Sequence, residues 1–153
     1  MQIQEIIQSQ YFAALEMLKH VIVQCPGALW DAPGYNDPCW KTSYHALYYA
    51  HLYLQDTEKD FSRWPQDQDP QSESPFTREQ LLDYLAFVQK QVQERVPALN
   101  LEANSGFDWL PFNKLELQLY NIRHIQQHAG ELYERLGSNI EIDWVSQTPD
   151  YLK

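Results

Sequence analysis

Residues 2 to 24 carry apolar side chains at helical spacing: Ile3, Ile7, Tyr11, Ala14, Leu18 and Val21 form one stripe, and Ile6, Leu15 and Ile22 widen it. Steps of three and four residues return to one face of a helix, so this pattern predicts the first helix. From Cys25 to Pro38 the chain holds Pro26, Gly27, Pro33, Gly34 and Pro38, too dense for a regular element to continue. Cys39 to Gln55 contains neither Pro nor Gly, and its tyrosines and leucines fall on nearly every side, the pattern of a second helix enclosed by neighbours. Asp56 to Pro75 is polar, carries Pro65, Pro70 and Pro75, and reads as an exposed, mobile loop that covers a site or an interface.

Thr77 and Gln80 have capping-box spacing, and Glu79 places negative charge in the first turn of a third helix. Leu81, Leu82, Leu85, Val88, Val92 and Val96 follow, and Pro97 ends it. The connection from Ala98 to Phe112, with Gly106, Pro111, Phe107 and Trp109, predicts a loop packed on the helices. Asn113 caps a fourth helix with Glu116 three residues on, and the stripe runs through Leu115, Leu119, Ile122, Ile125, Ala129, Leu132 and Leu136 to a stop at Gly137. Ser138 to Lys153 has room for one short strand or turn, in which Ile140, Ile142 and Trp144 alternate and lie down on the bundle. Four apolar stripes without a strand pattern between them predict an all-α fold, a four-helix bundle with long connecting loops in one domain over residues 1–153.

Charge removes whole classes of partner. Lys and Arg total 11 against 21 for Asp and Glu, a net charge of -10 that repels a nucleic-acid backbone and an anionic membrane surface. The longest apolar run, Tyr44 to Leu54, is interrupted by His45 and His51, so no membrane span is expected. The N-terminus has no basic segment followed by an apolar one, which points to a cytoplasmic protein. Cys25 and Cys39, fourteen apart, fit neither a redox pair nor a zinc knuckle; they read as two free, partly buried thiols, able to bond under oxidation if they approach closely.

The histidines carry the candidate chemistry. His124 and His128, one turn apart on the fourth helix, project from one face and can both reach a single divalent ion. On a helical wheel they sit at the edge of the apolar stripe, at the rim of the core. His45 and His51 on the second helix lie roughly 120° apart, so only one of them can join that pair. Three neutral imidazoles with open positions suit zinc, nickel, iron or manganese with a bound water. Glu131 stands three residues past His128 as a competing fourth group, and His20 on the first helix reads as a surface residue.

The run Asn121-Ile122-Arg123-His124-Ile125-Gln126-Gln127-His128-Ala129-Gly130-Glu131-Leu132 resembles the last-helix signature of the DinB/YfiT-like metalloenzyme superfamily, an HxxxH pair followed by a small residue and Gln or Glu. Trp40-Lys41-Thr42-Ser43-Tyr44-His45 looks like that family's second-helix segment, and helix order, length and the long middle loop agree across most of the chain. The resemblance implies a metal triad of His45, His124 and His128, with Glu131 as a catalytic proton acceptor or as an acceptor behind a ligand. It also implies a metal-dependent hydrolase or thiol S-transferase acting on small molecules, with a small thiol as co-substrate and a homodimer as the assembly. Tyr44, Tyr48, Tyr49 and Tyr120 would line its pocket. The competing expectation is a helical interaction or scaffold module with structural histidines, no stoichiometric metal, and a docking surface made of Trp30, Trp64, Phe107 and Trp109. A ferritin-type di-metal bundle is set aside because paired Glu-x-x-His motifs are absent.

Overall fold

The computed structural model describes residues 2–33, 36–67, 74–141 and 143–153. Among these the chain is all-helical, with α1 (Ile3–Gln24), a single-turn α2 (Gly27–Trp30), α3 (Cys39–Tyr53), α4 (Arg78–Arg95) and α5 (Lys114–Leu136). Gly34, Pro70 and Ile142, to which the sequence reading assigned loop or tail roles, lie outside the described residues.

Local chemistry sets the helix ends. Thr77 and Gln80 form the reciprocal capping box at the start of α4, and the Asn113 side chain accepts from the Glu116 amide at 2.9 Å to open α5. Gly137 closes α5 at φ 52, a left-handed backbone that disfavours a side chain. Pro97 ends α4 as expected, although the chain continues for one tighter turn over Val96–Ala98. A capping box between Gln2 and Glu5 opens α1 and escaped the sequence reading.

The four long helices form a ring in which α1 and α3 each pack against both α4 and α5. α1 touches α3 only slightly, so these two occupy one diagonal and the connection through α2 crosses the end of the bundle. Tyr11, Leu15, Leu18, Leu47, Leu81, Leu85, Ile125 and Leu132 fill the centre at 2% exposure or less, each contributing roughly 1.5–3 kcal/mol of transfer free energy. A polar web is buried among them: Tyr11 Oη donates to Gln118 Oε1 at 2.7 Å, and Asn121 Nδ2 donates to Tyr11 Oη at 2.9 Å and to the Ala50 carbonyl at 3.1 Å. Lys114, buried at the first turn of α5, donates from Nζ to the Gln55 and Asp56 carbonyls at the end of α3, at 2.9 and 2.7 Å.

Several expectations need correcting. Ile3, Ile6 and Leu119 are exposed, Ile3 because it is the first residue of α1, and Ile6 and Leu119 because they turn away from the buried faces of α1 and α5. The segment after α3 is not simply an exposed loop: Trp64 is buried with its ring stacked on Tyr84 at 4.6 Å, and buried Asp67 accepts from Tyr44 Oη at 2.6 Å and from Arg63 at 2.8 Å. No strand forms among the described tail residues; Ile140 is buried but Trp144 is 75% exposed. That tail is fastened to α1 instead, through Thr148 N to Ser9 Oγ and Gln10 Nε2 to the Ser146 carbonyl, both at 3.1 Å. His20 is half-buried and not a surface residue, with Nε2 3.4 Å from Glu16. No helix of the described chain is long and apolar enough to cross a membrane.

Candidate metal centre

α3 and α5 pack side by side and bring three imidazoles together. One ligand nitrogen from each of His45, His124 and His128 lies within 4.8 Å of the other two, the group of this kind found among the described residues. The ring centroids are 5.2 Å apart for His45 and His124, 4.8 Å for His45 and His128, and 4.6 Å for His124 and His128. The two α5 histidines face each other through Nε2 atoms 3.1 Å apart. Ligand–metal bonds of about 2.0–2.1 Å at tetrahedral or octahedral angles place neighbouring nitrogens roughly 2.8–3.4 Å apart, so this pair already has the edge length of a coordination polyhedron. All three rings are half-buried, with His124 and His128 at the rim of the core as the wheel predicted.

The protonation of His45 and His124 suits a cation. Burial holds the His124 imidazole down at about 4, with smaller contributions from the charges of His128 and His45. Burial, then the charge of His128, lowers His45 as well. Neutral rings offer lone pairs where imidazolium rings offer none. Glu131 Oε2 lies 3.1 Å from His128 Nδ1. With that carboxylate accepting the Nδ1 proton, the Nε2 lone pair of His128 points at His124, an orientation assigned from the bonding partners. Glu131 is itself held, since Arg135 donates to its Oε1 at 2.7 Å and also donates to the Asp37 carbonyl at 2.6 Å. The carboxylate therefore stands behind His128, on the ring edge away from His124. Nδ1 of His124 is buried and has no hydrogen-bond partner among the described residues. A lone buried ring nitrogen costs roughly 1–3 kcal/mol, which is tolerated more readily where the opposite nitrogen gains a strong ligand.

His51, the other histidine of α3, faces α4. It is 3% exposed, with Nδ1 3.3 Å from Tyr84 Oη and its ring packed on Phe61 and Phe87 at 4.9 Å each; burial pushes it down to about 4. The geometry thus resolves which histidine of α3 joins the pair on α5. Cys25 and Cys39 are free and buried, and the Cys25 thiol donates to the Pro26 carbonyl at 3.6 Å. The influence of each thiol on the other holds Cys25 down and pushes Cys39 up, burial adding to the rise, which makes Cys39 a poor nucleophile.

A cavity of about 430 Å³ opens beside His45 and His124, lined by Tyr48, Tyr49 and Tyr120 as the sequence suggested. Tyr44 lines a separate cavity of about 220 Å³ with His45, Lys41 and Arg63. Tyr53, Glu58 and Trp109 complete the larger cavity and were not singled out as pocket residues from the sequence. Glu58 and Trp109 come from two connections far apart in the chain, so no local spacing ties them to the histidines. The four aromatic residues considered as a docking surface do not share one: Trp64 and Phe107 are buried, Trp30 donates its indole N–H to the Phe76 carbonyl at 2.9 Å, and Trp109 is 49% exposed. Compared with known proteins, the chain matches no family model, no curated protein and no solved structure.

Proposed function

We propose that this chain is a DinB-like protein that holds a divalent ion, zinc, nickel, iron or manganese, on His45, His124 and His128 and acts on a small molecule, by hydrolysis or by transfer to a small thiol. The observation that carries the reading is the convergence of three ring nitrogens from two helices within 4.8 Å. An ion held there would polarise a bound oxygen or sulfur and lower the pKa of a water or thiol at its open position. The protein's share of the work is positional. α5 sets His124 and His128 one turn apart, α3 presents His45 across the groove, and Glu131 fixes the tautomer and tilt of His128. Three protein ligands leave coordination positions free, which distinguishes a reactive site from a closed structural one.

The deciding measurement is elemental analysis of protein purified without a histidine tag, beside a His124→Ala variant. Stoichiometric metal in the parent chain and its loss from the variant support the reading. Metal retained by the variant, or none taken up by the parent on incubation with each of the four ions, removes it.

A further inference from the structure

We propose that the cavity beside His45 and His124 binds a small organic cation, a quaternary or protonated amine whose far end carries an oxygen or sulfur donor. The donor end rests on the metal reading above; the cation end does not. The cavity, about 430 Å³, is walled by Tyr48, Tyr49, Tyr53, Tyr120 and Trp109. Tyr53 packs against Tyr49 and Tyr120, with ring centroids 5.6 and 5.7 Å apart, so three of the five rings form one wall. So many rings make a surface for either an apolar group or a cation drawn to their electron-rich faces.

Charge separates these alternatives. Glu58 is the carboxylate of the lining, and it makes no ion pair among the described residues. An anionic ligand would meet that charge directly. A neutral apolar ligand would strip its water and return nothing. A cation satisfies the carboxylate and the rings together, and the net charge of -10 draws it in. The rings already attract cations from elsewhere in the chain, since the Arg63 guanidinium lies 5.6 Å from the centre of Tyr48 and that of Arg123 5.8 Å from Tyr120. Neither arginine lines the cavity, so neither occupies it.

The cavity also has a direction. Glu58 also lines the adjoining loop cavity and His45 the small cavity with Tyr44, so the carboxylate and His45 border this cavity where it meets two different neighbours. A ligand with its cationic head at Glu58 therefore offers its other end to the triad. A second cation would be repelled by an ion held there, and an oxygen or sulfur donor would be drawn to it.

Choline and its uncharged isostere 3,3-dimethyl-1-butanol have nearly the same shape and differ in charge, and calorimetric titration of chelator-treated protein with each reads the cation site without metal. Choline should bind at least about tenfold more tightly than the isostere. Glu58→Gln should collapse that ratio towards one, and Trp109→Ala should weaken choline severalfold; both side chains are exposed, so the fold does not depend on them. Equal affinity for the two ligands, or an unchanged ratio in Glu58→Gln, overturns the assignment. Metal content, read on the untreated protein, separates the two claims. Discrimination in a protein that takes up no metal upholds the cation end and removes the donor end, while metal uptake without discrimination removes this assignment and leaves the triad.

Discussion

Gly106 offers the most direct test of how the loop before α5 is seated. Its φ of +87° is a conformation that side-chain-bearing residues adopt at a cost of roughly 1–2 kcal/mol. A Cβ built there would stand 1.9 Å from the Asp56 carbonyl oxygen and 3.0 Å from its carbon, so the backbone of residue 56 would have to retreat. That carbonyl accepts from the buried Lys114 ammonium at 2.7 Å, and Gly106 O accepts from the Glu58 amide at 3.4 Å. Losing a charged hydrogen bond costs roughly 1.5–3 kcal/mol, which together with the backbone penalty brings Gly106→Ala to a destabilisation of about 2.5–5 kcal/mol. Urea unfolding followed by far-ultraviolet circular dichroism measures it. Gly130→Ala is the matched control: its Cβ meets nothing within 4 Å on the exposed side of α5, and the change should stabilise by roughly 0.5–1 kcal/mol. A Gly106→Ala loss below about 1 kcal/mol would mean that the loop yields freely and that the close approach constrains nothing.

Glu131→Gln keeps the triad but gives up the carboxylate behind His128, so metal affinity, measured by competition with a chromophoric chelator, should fall roughly 10–100-fold without vanishing. An unchanged affinity would strip Glu131 of its orienting role. His51 titrates near 4 in the folded chain against 6.5 when unfolded, so the unfolded state binds more protons between those values and folding is weakened as pH falls from 6.5 towards 4. That share reaches about 3 kcal/mol at the acid end. His51→Gln, which can still meet Tyr84 Oη, should flatten the decline of stability over this window in chemical unfolding, and parallel curves would refute the burial argument.

The helix ends were legible because their causes are local. Thr77 with Gln80, Asn113 with Glu116, and Gly137 act within a turn of themselves, and each stands where the spacing placed it. The pair on α5 was legible for the same reason, since four residues on a helix fix two side chains on one face. The third ligand, His45, came from the resemblance and not from the residue pattern, because α3 is apolar or aromatic on most of its circumference and its pattern does not reveal which side meets α5. In physical terms packing separates His45, turned to the groove, from His51, turned to Tyr84. The loop after α3 was misread for a similar reason: its polar composition is genuine, yet Trp64 and Asp67 are drawn inward by Tyr84, Tyr44 and Arg63, partners from other segments or from a turn of the same loop. Glu58 and Trp109 reach the cavity from connections about fifty residues apart, and no periodicity joins them.

The web of Tyr11, Gln118 and Asn121 has a consequence for the metal centre. Greasy helices can slide along one another with little penalty, because one aliphatic contact replaces another, and each residue of slippage moves a side chain by about 1.5 Å. Directional bonds from Asn121 to the Ala50 carbonyl of α3 and to Tyr11 of α1 do not survive such a shift. Asn121 stands one turn before His124 and Ala50 five residues beyond His45, so the same pins that lock the axial register of the rods also set the height at which the imidazoles meet. Loosening them, by Asn121→Leu for example, would leave a well-packed bundle whose ligands no longer stand level.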